Sequence, residues 1–232
     1  KKPVLLVLNK SDLADPIYTK KWLSFYRQQG QEAVPFVGQK KQGIKELLAA
    51  TARLAEPTML ALEAKGRKRR LARAMVVGVP NTGKSTLINT LCPQAIAKTA
   101  NRPGITRSNL WIKAGNSLEL LDTPGVLWPK FADQQVGFHL AVIGSIGENA
   151  LDVYSLACWL AKELMQKYPS SLVERYQLAS LPEHPEELLE QIGRKRGMLL
   201  SGGIVNMEAA TVLLLQEFRN GKLGRFTLEK PE

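Results

Sequence analysis

Short apolar runs alternate with amphipathic stretches along the first part of the chain. Residues 3–8 are continuously apolar and end at Asn9, which predicts a strand buried on both faces of a parallel sheet. Downstream, the pattern predicts a helix over 19–29, a strand over 33–37 and a helix over 44–55 that ends at Pro57.

Strand signals continue to about residue 122. In segment 65–73, six of nine residues are basic, and the pattern then predicts a strand over 74–77 and a helix over 85–91. A hairpin is predicted over 112–121, turning at Gly115 and Asn116. Strands alternating with helices indicate an α/β domain with a mostly parallel sheet flanked by helices.

Beyond about residue 148 the strand pattern stops and apolar residues such as Leu160 and Leu164 recur at helical spacing. We therefore predict an α/β domain over 1–147, with a basic linker over about 56–73, and a small all-helical domain over 148–232. The chain opens on Lys1 without a Met, and we expect its natural N-terminus to lie upstream.

The composition is that of a folded globular protein, with 44% hydrophobic and 23% charged residues. No apolar stretch reaches the roughly 18 residues that a membrane span needs, and no signal-peptide pattern is present, so we expect a cytoplasmic protein without a membrane partner. The net charge is +11: residues 1–148 carry +12 and residues 149–232 carry −1. This excess favours a polyanionic partner.

Residues 78–85 (GVPNTGKS) fit the phosphate-loop pattern G-x-x-x-x-G-K-[ST], between a predicted strand and a predicted helix. Such a loop turns backbone N–H groups towards phosphate oxygens. Lys84 can reach the β- and γ-phosphates, and the Ser85 hydroxyl can ligate Mg²⁺. The predicted phosphate-binding residues are Pro80, Asn81, Thr82, Gly83, Lys84, Ser85 and Thr86.

The segment Asn9-Lys-Ser-Asp12 lies at the end of the first predicted strand. The two carboxylate oxygens of Asp12 match the N1–H and N2–H₂ donors of guanine, a pair that adenine lacks. Asn9 would join this strand end to the phosphate loop, and the Lys10 stem would cover the base. On its own the motif is also compatible with an ordinary turn in which Asp12 or Asp15 caps the next helix. Beside a phosphate loop, guanine binding is favoured.

The segment Asp122-Thr-Pro-Gly125 follows another apolar run. Asp122 would hold Mg²⁺ through a water, and the Gly125 amide would sense the γ-phosphate. Thr106, in the polar segment 98–107, would give the metal a second hydroxyl, and we expect that segment to be ordered by γ-phosphate and Mg²⁺. An ordinary loop threonine is the alternative for Thr106. The predicted catalytic residues are Lys84, Thr106 and Gly125.

These are the parts of a GTPase in an unusual order, because the guanine motif precedes the phosphate loop. Joining the ends of the domain and reopening the chain elsewhere gives this order, which indicates a circular permutation.

The chain resembles the YlqF/RbgA family of circularly permuted bacterial GTPases in segments such as NKSDLAD, GVPNTGKSTLIN, LLDTPGVLWPKF and GRKRGMLLSGG. The resemblance implies hydrolysis of GTP to GDP and phosphate, stimulated by the ribosomal particle, in assembly of the large (50S) ribosomal subunit. It also implies a helical domain that contacts rRNA. Val37, Gly38 and Gln39 stand where the family has a Ser-Ala-like guanine loop, and Asn81 is a candidate K⁺ ligand.

The position after D-x-x-G is Val126, which cannot orient water, so we expect slow hydrolysis without a partner. The resemblance also implies a histidine that assists catalysis in a segment upstream of residue 1, and neither His139 nor His184 matches its position. An rRNA-binding scaffold with GTP as a structural ligand is an alternative, and an ATP-using enzyme is disfavoured by Asn9–Asp12. We expect a monomer that contacts rRNA phosphates through 65–73, 194–196 and the residues Arg219, Lys222 and Arg225.

Overall fold

The structure is a computed structural model, and it describes residues 2–92, 111–115, 118–122, 133–146 and 152–231. The chain divides into two compact units, Lys1–Leu127 with Lys230–Glu232, and Trp128–Glu229. Among the described residues, no helix combines the length and the apolar character needed to cross a membrane.

The first unit alternates strands and helices, as the sequence predicts. In chain order its described elements are β1 (Leu5–Asn9), α1 (Pro16–Gln28), β2 (Glu32–Phe36), α2 (Ile44–Glu63), β3 (Ala72–Val76), α3 (Lys84–Leu91), β4 (Trp111–Ala114) and β5 (Leu118–Asp122).

The strands form two small sheets. β1 pairs with β2 in parallel, and β5 lies between β3, to which it is parallel, and β4, to which it is antiparallel. The β4–β5 pair is the predicted hairpin. The parallel register of β3 and β5 sets Asp122 opposite Val76, so β5 ends beside the point where β3 enters the phosphate loop.

The core of this unit is formed where α2 and α3 cover the strands. Its buried side chains include Phe36, Leu87, Ile88, Leu118 and Leu120. The prediction that the first strand is buried on both faces is wrong: all five residues of β1 are half-buried. Among the described strands β1 pairs with one neighbour, β2. The side chains of a strand with a single neighbour are less covered than those of a central strand.

The prediction that the second helix ends at Pro57 is also wrong, because α2 continues to Glu63. An interior proline costs a helix roughly 3 kcal/mol. Met59 is buried, which contributes about 1.5–3 kcal/mol, and the partly buried Leu62 packs against the same core and adds to this. This burial offsets the lost hydrogen bond. The segment predicted as a basic linker over about 56–73 is therefore helical up to Glu63, and residues 64–71 connect it to β3.

The second unit is helical in its described parts, as predicted. It contains α4 (Gln134–Val142), α5 (Val153–Lys167), α6 (Pro169–Tyr176), α7 (Pro185–Lys195), a short 3₁₀ turn (Ser201–Gly203) and α8 (Met207–Arg219). Leu160 and Leu164, predicted at helical spacing, are fully buried along α5, and so is Leu156 one turn earlier.

Helix α4 belongs to this second unit, although it precedes the predicted boundary after residue 147. Ala141 and Val142 lie in the helical core, and the Arg219 guanidinium donates hydrogen bonds to their carbonyls, from Nη2 at 2.9 Å and from Nε at 2.8 Å. These charge-assisted bonds satisfy carbonyls at the C-terminus of α4. The division into domains at 147 and 148 stays a prediction.

A buried ion pair joins α6 to α8. Arg175 donates to the carboxylate of Glu217, which is 4% exposed. Burial by itself would raise the pKa of Glu217, but the hydrogen bonds and the positive charge of Arg175 hold it below its usual value. The helical core therefore depends on a paired charge as well as on apolar packing.

Candidate functional site

The phosphate loop connects β3 to α3 through a sharp turn. Asn81 (φ 57°) and Gly83 (φ 94°) both have left-handed backbone conformations, and α3 begins directly afterwards at Lys84. Gly83 is the N-cap of α3 and provides no side-chain hydrogen bond to its first turn. The N-terminal amides of α3 are consequently suitable donors for an anion such as phosphate.

The side chains of the loop fold over it. The Lys84 ammonium donates to the Val79 carbonyl at 2.8 Å, and the Thr82 hydroxyl donates to the same carbonyl at 2.9 Å. Ser85 is exposed in the first turn of α3, where its hydroxyl is accessible to a metal ion. The loop thus presents an amine, a hydroxyl and a helix N-terminus within one short segment.

The Asn9–Asp12 segment contacts this loop directly. The Asn9 side-chain amide donates to the Thr82 carbonyl at 2.7 Å, across a separation of 73 positions in the chain. The Lys10 ammonium donates to the Asn81 carbonyl at 3.3 Å. Lys10 itself has a φ of 54°, and its N–H donates to the Asn9 side-chain oxygen at 2.8 Å. The turn after β1 is therefore packed against the phosphate loop by side chains of the motif.

Asp12 and Asp15 have different roles in the structure. Asp15 is the N-cap of α1, and its carboxylate accepts from the Ile17 amide at 2.8 Å. The Asp12 carboxylate instead lies 2.9 Å from the Lys40 ammonium, and its side chain is 16% exposed. Of the two capping candidates, Asp15 therefore occupies the capping position, and Asp12 does not.

The segment Val37–Gln42 forms a tight turn that packs against α3. Hydrogen bonds of 3.1 and 3.2 Å pair Val37 with Gln42, and the Gly38 carbonyl accepts from the Thr90 hydroxyl at 3.2 Å. A Cβ at Gly38 would lie 2.7 Å from the Thr86 Cγ2, so a larger residue would require the Thr86 side chain to shift. The predicted Val37, Gly38 and Gln39 segment is thus brought against the helix that follows the phosphate loop.

Several predicted residues cannot be placed in the site. Thr106, Gly125 and Val126 lie outside the described residues, and Asp122 is described only through its backbone at the end of β5. Within the ranges the structure describes, no group of three or more His, Cys, Asp or Glu side chains could hold a metal ion. The Mg²⁺ ligands predicted from the sequence stay predictions.

Two predicted rRNA contacts are engaged in the protein itself. Arg219 caps α4, and Arg196 donates to the Arg175 carbonyl at 3.2 Å while its guanidinium lies over the Tyr176 ring. Lys40, whose ammonium lies 2.9 Å from the Asp12 carboxylate, was not among the residues selected from the sequence. Its signal in the sequence is weak, because it lies just past the recognised loop segment, in a pair of lysines that matches no motif.

Gly83 allows a first test of this geometry. A Cβ at this position would lie 2.3 Å from the Asn9 side-chain nitrogen, on a backbone whose φ disfavours alanine. We expect Gly83→Ala to weaken GDP binding by about 10-fold or more, since such backbone strain costs of order 1–3 kcal/mol. Titration of a fluorescent GDP measures the effect.

Gly30→Ala is the matched control. Gly30 has a similar φ of 68°, with nothing within 4 Å of an added Cβ. It should lower the melting temperature without changing GDP affinity. Unchanged GDP affinity in Gly83→Ala would show that the contact between Asn9 and the loop is not part of the site.

The alternating fold, the phosphate loop between β3 and α3, and the guanine-type motif packed on that loop define the class of P-loop GTPases, here with the guanine motif first. Residues 73–167 match the family model described as "50S ribosome-binding GTPase". The chain is 46% identical to ribosome biogenesis GTPase A of Bacillus cereus, over 100% of this chain and 78% of that protein. The corresponding protein of Thermotoga maritima is 31% identical over 100% of this chain and 78% of its own length.

The chain belongs to the ribosome biogenesis GTPase A family. Two solved structures agree with this assignment. GDP-bound YlqF matches with a TM-score of 0.67 and 29% identity, over 98% of this chain and 83% of that one. GNP-bound YlqF from T. maritima matches with a TM-score of 0.62 and 28% identity, over 98% and 82%. The family resemblance, the permuted GTPase fold and guanine-nucleotide binding are therefore confirmed.

Proposed function

We propose that this chain binds GTP between the Asn9–Asp12 segment and loop 78–85 and hydrolyses it to GDP and phosphate during assembly of the large ribosomal subunit. The observation that carries the proposal is the 2.7 Å hydrogen bond from Asn9 to Thr82. It joins two motifs that are distant in the chain, one suited to a guanine base and the other to phosphates.

Asp12 reads the base. Its two carboxylate oxygens can accept from N1–H and N2–H₂ of guanine, whereas adenine would leave a desolvated carboxylate without these donors. Lys10, held near the loop by its bond to the Asn81 carbonyl, covers one face of the base with its aliphatic stem. Val37, Gly38 and Gln39 complete the pocket from the turn that packs on α3.

The loop holds the phosphates. Backbone amides of 80–86 donate to phosphate oxygens, and Lys84 exchanges its hydrogen bond to the Val79 carbonyl for the β- and γ-phosphates. Ser85, Thr106 and Asp122 would hold Mg²⁺, which neutralises charge on the phosphates when it is bound. The Gly125 amide would contact the γ-phosphate, and a monovalent K⁺ would take Asn81 as a ligand.

Hydrolysis by the chain alone is slow. Val126 offers no hydrogen bond with which to orient the attacking water, so a partner or a cation has to supply that function. The ribosomal particle is the proposed partner, as the names of the relatives indicate. If hydrolysis depends on the particle, GTP favours the particle-bound protein and hydrolysis drives its release.

The basic first part of the chain supports rRNA as the contacted component. Lys65, Arg67, Lys68 and Arg70 are exposed between α2 and β3, where they can neutralise RNA phosphates. In the second unit, Lys222 and Arg225 are further candidates, while Arg196 and Arg219 contribute to its internal packing. We propose that the protein acts as a cytoplasmic monomer.

Single-turnover GTP hydrolysis, with or without large-subunit particles and in K⁺ or Na⁺, tests this function. We expect slow hydrolysis by the chain alone and an increase of orders of magnitude with particles in K⁺. Lys84→Ala protein is the control for contaminating GTPases. Fast hydrolysis in Na⁺ without particles would contradict the dependence on a partner. A rate that particles leave unchanged would favour a scaffold in which GTP is a structural ligand.

A further inference from the structure

Asp12 is paired with a side chain that the guanine motif does not contain. The Lys40 ammonium lies 2.9 Å from Asp12 Oδ2, and the two residues belong to different connections, one after β1 and the other after β2. Lys40 is 60% exposed at its side chain, whereas Asp12 is 16% exposed. The lysine therefore reaches in from the surface to a carboxylate that is largely withdrawn from water.

The backbone around Lys40 fixes where its side chain starts. The Val37–Gln42 pair closes the turn, and the Lys41 N–H donates to the Gly38 carbonyl at 3.2 Å. Lys41 has a φ of 54°, which reverses the chain directly after Lys40. The Thr90 hydroxyl anchors the same turn on α3 through the Gly38 carbonyl. The position of Lys40 relative to the phosphate loop is consequently set by backbone contacts.

The turn over residues 37–42 contains no serine or threonine. Val37 is buried and apolar, and Gly38 has no side chain. A carboxylate that reads two base donors has to keep both oxygens in the plane of the base. An ionised carboxylate has about four lone-pair sites, so Oδ2 can accept from Lys40 and from the base together. Lys40 can therefore hold the carboxylate without blocking it.

We propose that Lys40 is a positioning residue that determines base specificity by holding the Asp12 carboxylate in the orientation that accepts from both N1–H and N2–H₂ of guanine. This inference rests on the proposed role of Asp12 in reading guanine. Its consequence is selective: loss of Lys40 harms recognition of the 2-amino group more than recognition of N1–H alone. Hypoxanthine, which has N1–H but lacks the 2-amino group, is the matched probe.

The test measures dissociation constants of GDP and IDP by displacement of a fluorescent GDP. Lys40→Ala is expected to weaken GDP binding by about 3- to 10-fold, a range discounted for the exposure of the lysine. IDP binding should change less, so the preference for GDP over IDP falls. Lys40→Arg, which keeps a charged donor, should restore most of that preference. Lys41→Ala removes the same charge from the neighbouring position and should leave both constants unchanged.

Three results would overturn the role of Lys40: unchanged GDP affinity in Lys40→Ala, tighter GDP binding, or equal losses for GDP and IDP. Tighter binding would identify Lys40 as a competitor of the base. Asp12→Asn, measured in the same assay, distinguishes a failure of the proposed guanine site from a failure of the proposed role of Lys40. If Asp12→Asn leaves the base preference intact, the proposed guanine site is wrong. If it changes the preference and Lys40→Ala does not, only the role of Lys40 is wrong.

Discussion

Lys84→Ala protein is expected to lose GTP hydrolysis almost completely while keeping its fold. The Lys84 ammonium lies over the phosphate loop, bonded to the Val79 carbonyl, at the start of α3. Phosphoryl transfer depends on charge stabilisation at the phosphate oxygens, and loss of one preorganised donor costs roughly 10²–10³-fold in rate. Single-turnover hydrolysis with saturating particles measures the loss. The substitution removes one hydrogen bond, so the melting temperature should change by only a few degrees.

Lys45→Ala is the matched control for the change in charge. Lys45 is exposed near the start of α2, outside the loop. The Lys45→Ala protein should hydrolyse GTP at the rate of the unsubstituted chain. A Lys84→Ala protein that also kept this rate would show that loop 78–85 does not bind the reacting phosphates.

Asp12→Asn is expected to change the preferred base from guanine to xanthine. The amide replaces one acceptor oxygen with an N–H donor, and xanthine has a carbonyl where guanine has its 2-amino group. Affinity for GTP should fall by about 10²-fold or more, because donor then faces donor in a partly desolvated pocket. Affinity for xanthosine triphosphate should rise. Competition of the two nucleotides against a fluorescent GDP analogue gives both constants.

Asp15→Asn is the control for this substitution. Asp15 caps α1, a position where asparagine serves equally well, so the variant should fold and should prefer GTP as before. Unchanged GTP affinity in Asp12→Asn would show that Asp12 is not part of the nucleotide site. It would then favour a site that binds nucleotides without selecting guanine.

Much of the first unit could be predicted from the sequence, because its strands are short apolar runs between clear breaks. The β4–β5 hairpin follows from the alternation around Gly115, and the phosphate loop from glycine and lysine spacing. The end of α2 could not be predicted in this way. Pro57 is a strong local signal, and the burial of Met59 that overrides it depends on packing against strands from elsewhere in the chain.

The contacts of charged side chains could not be predicted, since they depend on which segments meet in space. The contact between Asn9 and the loop was predictable, because both belong to motifs with a known spatial relation. Lys40 belongs to no motif and becomes visible only when the turn after β2 lies next to Asp12. The sequence suggested that Arg219 is a surface cation, but in the structure its guanidinium donates to a carbonyl at the C-terminus of α4.

A crystal structure of the chain with GDP and Mg²⁺ tests most directly whether these segments form one guanine-nucleotide site. We predict that the Asp12 carboxylate accepts from N1–H and N2–H₂ of the same GDP whose β-phosphate lies on the amides of loop 78–85, with the Asn9–Thr82 bond retained. A GDP whose phosphates bind this loop while its base lies beyond hydrogen-bond reach of Asp12 would contradict the site. So would a GDP bound elsewhere on the chain.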